Sequence, residues 1–397
     1  MLRSLLTYAH RDDAVAKLAD AARAEPQRAF VSASLRPYLL ASLIDSDPER
    51  PALVVAGDDR AARDLAADLR TYLAPRPVRF YPARGMRYES HLAPPPHLVG
   101  LRIAALDSLL GDNAAVLVTS AVALAEKVPD PELRPHGFEI EKGGLLDLDE
   151  TADQLVACGY VRADQVEERG QFAIRGDILD VYPATEERAV RCELFDVEVE
   201  RLTWFSTFTQ RSLEEADRVE IAPAAELAPE HRELAEIAAA TDADERPDIA
   251  EVLPVDRFCE LLDLVPEDAL VAIAAEEELA PALRDYWEDV TTSFHDEDAH
   301  HLYVKPDALD AALEARAQLN MARLQAAFLD GHPAPDDPSL MFAHATLRDG
   351  FIAPQLKLAV LPEHRLLRRR RTERPAGPGA IASFTDLRAG SPVVHED

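Results

Sequence analysis

Between Gly159 and Trp204, apolar and polar residues alternate over short runs broken by turn residues, a period that suits strands and not helices. The pattern predicts antiparallel strands. Phe172, Ile174 and Ile178 are expected on one face and Arg175 on the other. Pro183 ends that run because it has no N–H to donate, and residues 184–187 read as a turn. In the next strand Val190, Cys192 and Leu194 share one face, while Arg191, Glu193 and Phe195 share the opposite one. If the first face is core, Arg191 and Phe195 point outward together. Aromatic and Arg side chains are over-represented among binding hot spots, so the outward face is a candidate docking patch. An ordinary small sheet with one wet face fits the same pattern, since single exposed aromatics are common.

Around this stretch the chain reads as α/β. Strands are expected at 29–33, 52–56, 78–81 and 115–119, separated by helices at 14–24, from 37 to 43, at 61–73 and at 98–110. Gly57-Asp58-Asp59 looks like a strand-to-helix turn with a capping Asp. Such alternation argues for a mostly parallel sheet. A nucleotide hydrolase of this layout would carry Gly-x-x-x-x-Gly-Lys-[Ser/Thr] after its first strand. Here the turn runs from Ser32 to Pro37 and has neither Gly nor Lys. It lacks both the close backbone cradle and the ammonium that phosphates need. No other P-loop occurs in the sequence. The domain reads as a catalytically dead relative of a P-loop domain.

Further along, residues 145–158 read as a helix with Asp147 and Asp149 near its cap. Residues 270–274 read as a strand, 275–287 as an acidic helical stretch interrupted by Pro281, and 306–329 as one long helix. A Pro/Asp linker at 331–338 precedes a small βαβ-like remnant whose clearest strand is 356–361. Arg84, Arg87 and Tyr88, in a Pro-rich loop at 81–96, offer contacts to nucleic acid or simply pack across the sheet. Three His and three carboxylates at 295–301 lack the fixed spacing of a metal site and read as a solvated loop.

Charge narrows the function. Asp and Glu number 73 against 42 Lys and Arg, a net charge of −31, so the chain as a whole repels phosphate backbones. The exception is 365–374, with six Arg in ten positions, where Arg368, Arg369, Arg370 and Arg371 are candidate nucleic-acid contacts or part of a charged connecting helix. Cys158, Cys192 and Cys259 are widely spaced in apolar contexts and read as free buried thiols. With no signal-like N-terminus and no long apolar run, a soluble cytoplasmic protein without membrane contact is expected.

Three segments carry a family resemblance. Residues 164–183, followed by Arg191–Asp196 and Arg211–Leu213, are closely similar to a segment shared by the bacterial transcription-repair coupling factors and the excision-repair helicase UvrB. Residues 349–364 with the Arg run, and 386–397, are similar to later parts of the coupling factors alone. The resemblance implies a degenerate P-loop, UvrB-like parallel-sheet domain with an inserted antiparallel β-rich domain, followed by a small α/β remnant. It implies boundaries at 1–126 and 213–330 for the two parts of the first domain, and at 127–212 for a UvrA-binding insert. A shortened third domain with the basic segment follows at 331–374, then a linker and the start of a polymerase-interacting domain at 375–397. The family's UvrA-contacting positions fall on Arg175, Arg191 and Phe195.

The function so implied is transcription-coupled nucleotide excision repair. The chain would recruit UvrA to stalled RNA polymerase, with no catalytic residue, metal or cofactor of its own. ATP, RNA polymerase and DNA would be engaged through C-terminal domains that lie beyond residue 397 in the family. The alternative is a nucleotide-dependent DNA helicase or translocase of the UvrB type, against which the missing P-loop and the acidic charge both argue.

Overall fold

The run Ala52-Leu-Val-Val-Ala56 has no polar face, so it must be covered on both sides. In a computed structural model, which describes residues 2–111, 114–241, 247–293, 299–323, 350–353, 356 and 358–360, it is an inner strand of a six-stranded parallel sheet. The order across that sheet is Gln27–Val31, Ala317–Arg323, Leu270–Ile273, Ala52–Ala56, Val116–Ser120 and Val78–Tyr81. Val54 faces a core built with helices Arg36–Asp45 and Asp59–Leu73. Leu53 and Val55 face a second core, built with Pro96–Leu110, Glu276–Ser293 and Pro306–Arg316. Asp58 caps its helix as the sequence anticipates, accepting from the Ala61 N–H at 2.7 Å.

The chain departs from the long helix expected at 306–329. The helix stops at Arg316, and Ala317–Arg323 becomes a strand. Its Ala, Gln, Leu and Met residues favour helix, but tertiary pairing wins. The segment is laddered on both sides, to Gln27–Val31 and to Leu270–Ile273, and sends Leu319 and Met321 at period 2 into the first core. The acidic helix is also not interrupted at Pro281, but runs through it from Glu276 to Ser293. Leu279 and Leu283, on either side of the proline, are both pinned into the second core.

Of the βαβ-like remnant expected after the linker, the described residues show an antiparallel pair, Phe351–Ala353 with Leu358–Val360; the rest of it lies outside them. Phe351 packs on Tyr38, with ring centroids 4.9 Å apart, so this strand pair shares the first core. The Arg run with Arg368–Arg371, the 331–338 linker, His295 and its acidic neighbours, and the C-terminal 383–397 segment lie outside the described residues.

The second sheet is antiparallel apart from one short edge pair. Its order is Ser212–Glu215, Glu198–Phe205, Ala189–Phe195, Ile178–Val181, Gln171–Arg175 and Val161–Arg162. A separate pair, Phe138–Glu141 with Arg218–Ile221, closes the unit, and helix Leu148–Ala157 covers its core. Asp147 caps this helix by accepting from the Asp149 and Glu150 N–H groups, both at 3.0 Å. Leu145 was expected inside the helix. It is instead extended and bridged to Glu198, because 143–146 pairs with 197–199: the Gly143 N–H donates to Val199 O and the Leu146 N–H to Val197 O.

Candidate functional site

Strand pairing fixes the faces of the antiparallel sheet. Phe172, Leu179, Val181, Val190, Cys192, Leu194, Val199 and Leu202 are buried together against helix Leu148–Ala157. Arg175, Asp180, Arg191, Glu193 and Phe195 therefore lie on the outer face. Ile178 belongs there too, not with Phe172 and Ile174 as the sequence suggested. A two-residue turn, Gly176-Asp177, sits between Arg175 and Ile178 and makes them directly opposed, so they share a face. Gly176 has φ 59°, the left-handed backbone that a tight hairpin turn places on glycine. Along the facing strand a bulge at Glu193/Leu194 takes up one residue, which keeps Val199 and Leu202 inward and Glu198 and Arg201 outward.

The three expected contact residues thus sit on one face, but in different states. Phe195 is 74% exposed, at the end of its strand. Arg175 is exposed, and its Nε donates to Asp164 O at 3.1 Å, which fixes the guanidinium at the sheet end. Arg191 is not a free cation. Its Nε and Nη2 donate to Asp180 Oδ1 and Oδ2 at 2.7 and 2.8 Å, and its guanidinium carbon lies 4.7 Å from the Phe205 ring centre. The hydrogen bonds to Asp180 raise the Arg191 pKa further above its already high value. Sequence reasoning missed Asp180 because a carboxylate eleven residues away gives no local signal; only the register places it opposite Arg191.

The turn that would carry a phosphate cradle follows strand Gln27–Val31 and enters helix Arg36–Asp45. The Leu35 and Arg36 N–H groups both donate to Ser32 O, at 3.1 and 3.2 Å, and Pro37 has no N–H. Donors that a cradle would aim at a phosphate are here used inside the turn. Nearby, Glu276 pairs with Arg28 (Nε to Oε2, 2.7 Å), and Glu278 packs directly over Gly57. These carboxylates line the strand ends where phosphates would need cations.

Arg84 and Tyr88 are buried, not presented to a nucleic acid. The Arg84 Nε donates to Glu226 Oε2 at 2.7 Å, and the Tyr88 hydroxyl donates to Lys127 O at 2.9 Å. Arg87 is held by the Asp289 carbonyl at 2.9 Å. The Arg84–Glu226 pair continues into a buried Arg102–Glu126 pair, with Nη1 and Oε2 2.8 Å apart. This cluster joins the parallel-sheet domain to the segment that leaves the antiparallel unit. His300 and His301 stack on each other, and among the described residues no group of three His, Cys, Asp or Glu is arranged around a common point for a metal.

Residues 138–227 match the UvrB interaction domain family. That span begins at the first strand of the closing pair and ends just past Ile221, the last residue of the second. The chain is 32% identical over 187 residues to a transcription-repair-coupling factor of Bacillus subtilis, covering 47% of this chain and 16% of that protein. It is 36% identical over 205 residues to the coupling factor of Myxococcus xanthus, covering 49% and 17%. To the UvrABC system protein B of Neisseria meningitidis it is 27% identical over 207 residues, covering 49% and 30%. The chain resembles the N-terminal region of the transcription-repair coupling factors. The match spans about a sixth of those proteins' length and under a third of the UvrB protein's. By their names, these relatives are a factor that couples transcription to repair and a component of the UvrABC system. Arg175, Arg191 and Phe195 all lie inside the matched span.

Proposed function

We propose that the outer face of the antiparallel unit docks UvrA, the damage-recognition subunit of nucleotide excision repair, and so brings it to a stalled transcription complex. The observation that supports this most is Phe195, a large aromatic left 74% exposed on an ordered strand within the matched domain, with Arg175 and Arg191 on the same face. Phe195 supplies an apolar anchor. Arg175 supplies charge-assisted hydrogen bonds from the edge that Asp164 leaves free. Arg191 presents the Nη1 edge of a guanidinium already aimed by Asp180.

The same reading makes this chain a binding module without ATPase activity, metal or cofactor of its own. In the full-length coupling factors, ATP, RNA polymerase and DNA would be engaged by regions that this chain does not match. The test is a calorimetric titration against UvrA, with wild type beside Phe195→Ala and Arg175→Ala. Each substitution should cost about 1–3 kcal/mol of binding while circular dichroism stays unchanged. A folded wild type that gives no heat of binding with UvrA would sink the proposal.

A further inference from the structure

The outer face has a second large apolar side chain that the sequence pattern hid inside an expected helix. Leu145 is 82% exposed, more than Phe195. It is bridged to Glu198, and Glu198 is paired to Phe195 on its other side. Opposed residues in antiparallel pairs share a face, so Leu145, Glu198 and Phe195 form one row across three chain segments. Leu145 and Phe195 are then two strand spacings apart, roughly 10 Å. The neighbours confirm the face: Leu146, Leu194 and Val199 all turn into the core. Ile178, half-buried and opposed to both Arg175 and Glu193, continues the apolar surface toward the Arg175 end.

Backbone pairing on both sides holds this ridge in place. The Gly143 N–H donates to Val199 O at 2.8 Å, the Val199 N–H to Gly144 O at 2.9 Å, and the Leu194 N–H to Asp177 O at 2.9 Å. Two exposed apolar residues fixed on rigid backbone lose little entropy on docking. Around them stand the exposed carboxylates of Asp147, Asp177, Asp196, Glu198 and Glu200, with Arg175, Arg201 and Lys142 as nearby cations, the last two both paired to Glu215.

We propose that Leu145 and Phe195 dock together, as a two-residue apolar ridge inside an acidic collar, into an apolar pocket rimmed with basic side chains on UvrA. The inference rests on the docking reading above and extends it to a residue and a charge pattern outside the Arg175, Arg191 and Phe195 set. Leu145 points away from the core, so its substitution leaves the pairing of 143–146 intact.

The experiment is a titration of the full chain against UvrA with Leu145→Asp, Leu145→Ala, Phe195→Ala and, as a control, Phe208→Asp. Phe208 is 96% exposed but sits in the 206–211 loop, at the opposite end of the sheet. Leu145→Asp should weaken binding at least about tenfold, Leu145→Ala by a few-fold, and Phe208→Asp by less than about twofold. Wild-type affinity should fall as salt rises, because the collar faces opposite charge. Leu145→Asp binding as wild type does, while Phe195→Ala loses binding, overturns the ridge and leaves the docking reading standing. If Leu145→Asp instead shifts only the elution of the free chain, the ridge meets a second copy and the proposal fails. A wild type that does not bind UvrA removes the docking reading itself.

Discussion

Arg191 and Asp180 face each other across adjacent antiparallel strands and join through two parallel hydrogen bonds, Nε to Oδ1 at 2.7 Å and Nη2 to Oδ2 at 2.8 Å. Asp180 is 3% exposed, while the Arg191 side chain retains 19% of its surface. One charge is thus sunk in the sheet and the other caps it, leaning on the ring of Phe205. The fork geometry orients the guanidinium before any partner arrives. Arg191 therefore carries a structural load as well as its proposed contact.

That double load predicts how substitutions here behave. Arg191→Ala leaves a buried carboxylate without its counter-charge and should destabilise the chain by about 3–5 kcal/mol in urea denaturation followed by circular dichroism. Asp180→Asn with Arg191→Met removes both charges and should recover much of that loss. Equal urea midpoints for Arg191→Ala and wild type would show that the pair contributes nothing to the fold. For the same reason Phe195→Ala and Arg175→Ala are the cleaner probes of UvrA binding.

How much of this was legible in the sequence depends on whether a feature is local. Val190, Cys192 and Leu194 against Arg191, Glu193 and Phe195 is a period-2 pattern within one strand, and the structure keeps it. The Asp58 cap and the buried Ala52–Ala56 strand are equally local. Ile178 was misplaced because a two-residue turn resets the alternation, and turn geometry is not written in hydrophobicity. Leu145 was lost to a helix that begins three residues later, at Leu148. Ala317–Arg323 is a strand because two neighbouring strands pair with it, which its own helix-favouring residues do not reveal. Asp180 and Glu226 matter through partners 11 and 142 residues away.

The Ser32–Leu35 turn leads to an expectation for nucleotides. Its amide donors are spent on Ser32 O, and Glu276 and Glu278, in the first turn of helix Glu276–Ser293, stand near the strand ends. Saturating ATP with magnesium should leave the melting temperature of this chain unchanged. Binding at a hundred times its dissociation constant would stabilise by about 2.7 kcal/mol, a shift of several degrees that thermal-shift measurements resolve readily. A shift of that size would reopen the helicase reading.

The thiols report on each unit separately. Burial pushes Cys192 up to about 12 and Cys158 up to about 11, and it also raises the half-buried Cys259. Native protein at pH 8 should show at most one fast-reacting thiol, Cys259, against three after denaturation, by a chromogenic disulfide reagent. Because folding raises these pKa values, it favours the neutral thiols. Their contribution to stability is complete below the unfolded value of about 9 and is lost as pH rises from there toward 11 for Cys158 and 12 for Cys192. Urea midpoints should therefore fall between pH 9 and pH 11 in the wild type, and less so in Cys192→Ala. An unchanged slope in the variant would remove Cys192 as the cause.

The two units meet closely at Gly100, in the middle of helix Pro96–Leu110. A Cβ placed there would come within 2.6 Å of the Ala184 Cβ and 3.3 Å of the Ala184 carbonyl carbon. In an exposed helix, Gly→Ala gains about 1 kcal/mol. At this position the sign should reverse, because the neighbour is a short side chain on a fixed turn with no rotamer to yield. Gly100→Ala is expected to loosen the docking of the antiparallel unit before it harms either core. Hydrogen exchange should then quicken at residues 97–100, 170 and 184, where Gly170 also abuts Pro96, while Phe172, Val190 and Cys192 stay protected. Glu226→Gln should act in the same direction, since it discharges the carboxylate that receives Arg84 across the same junction. Gly100→Ala raising the melting temperature with unchanged exchange would mean that helix propensity outweighs the contact, and that the junction tolerates a methyl group.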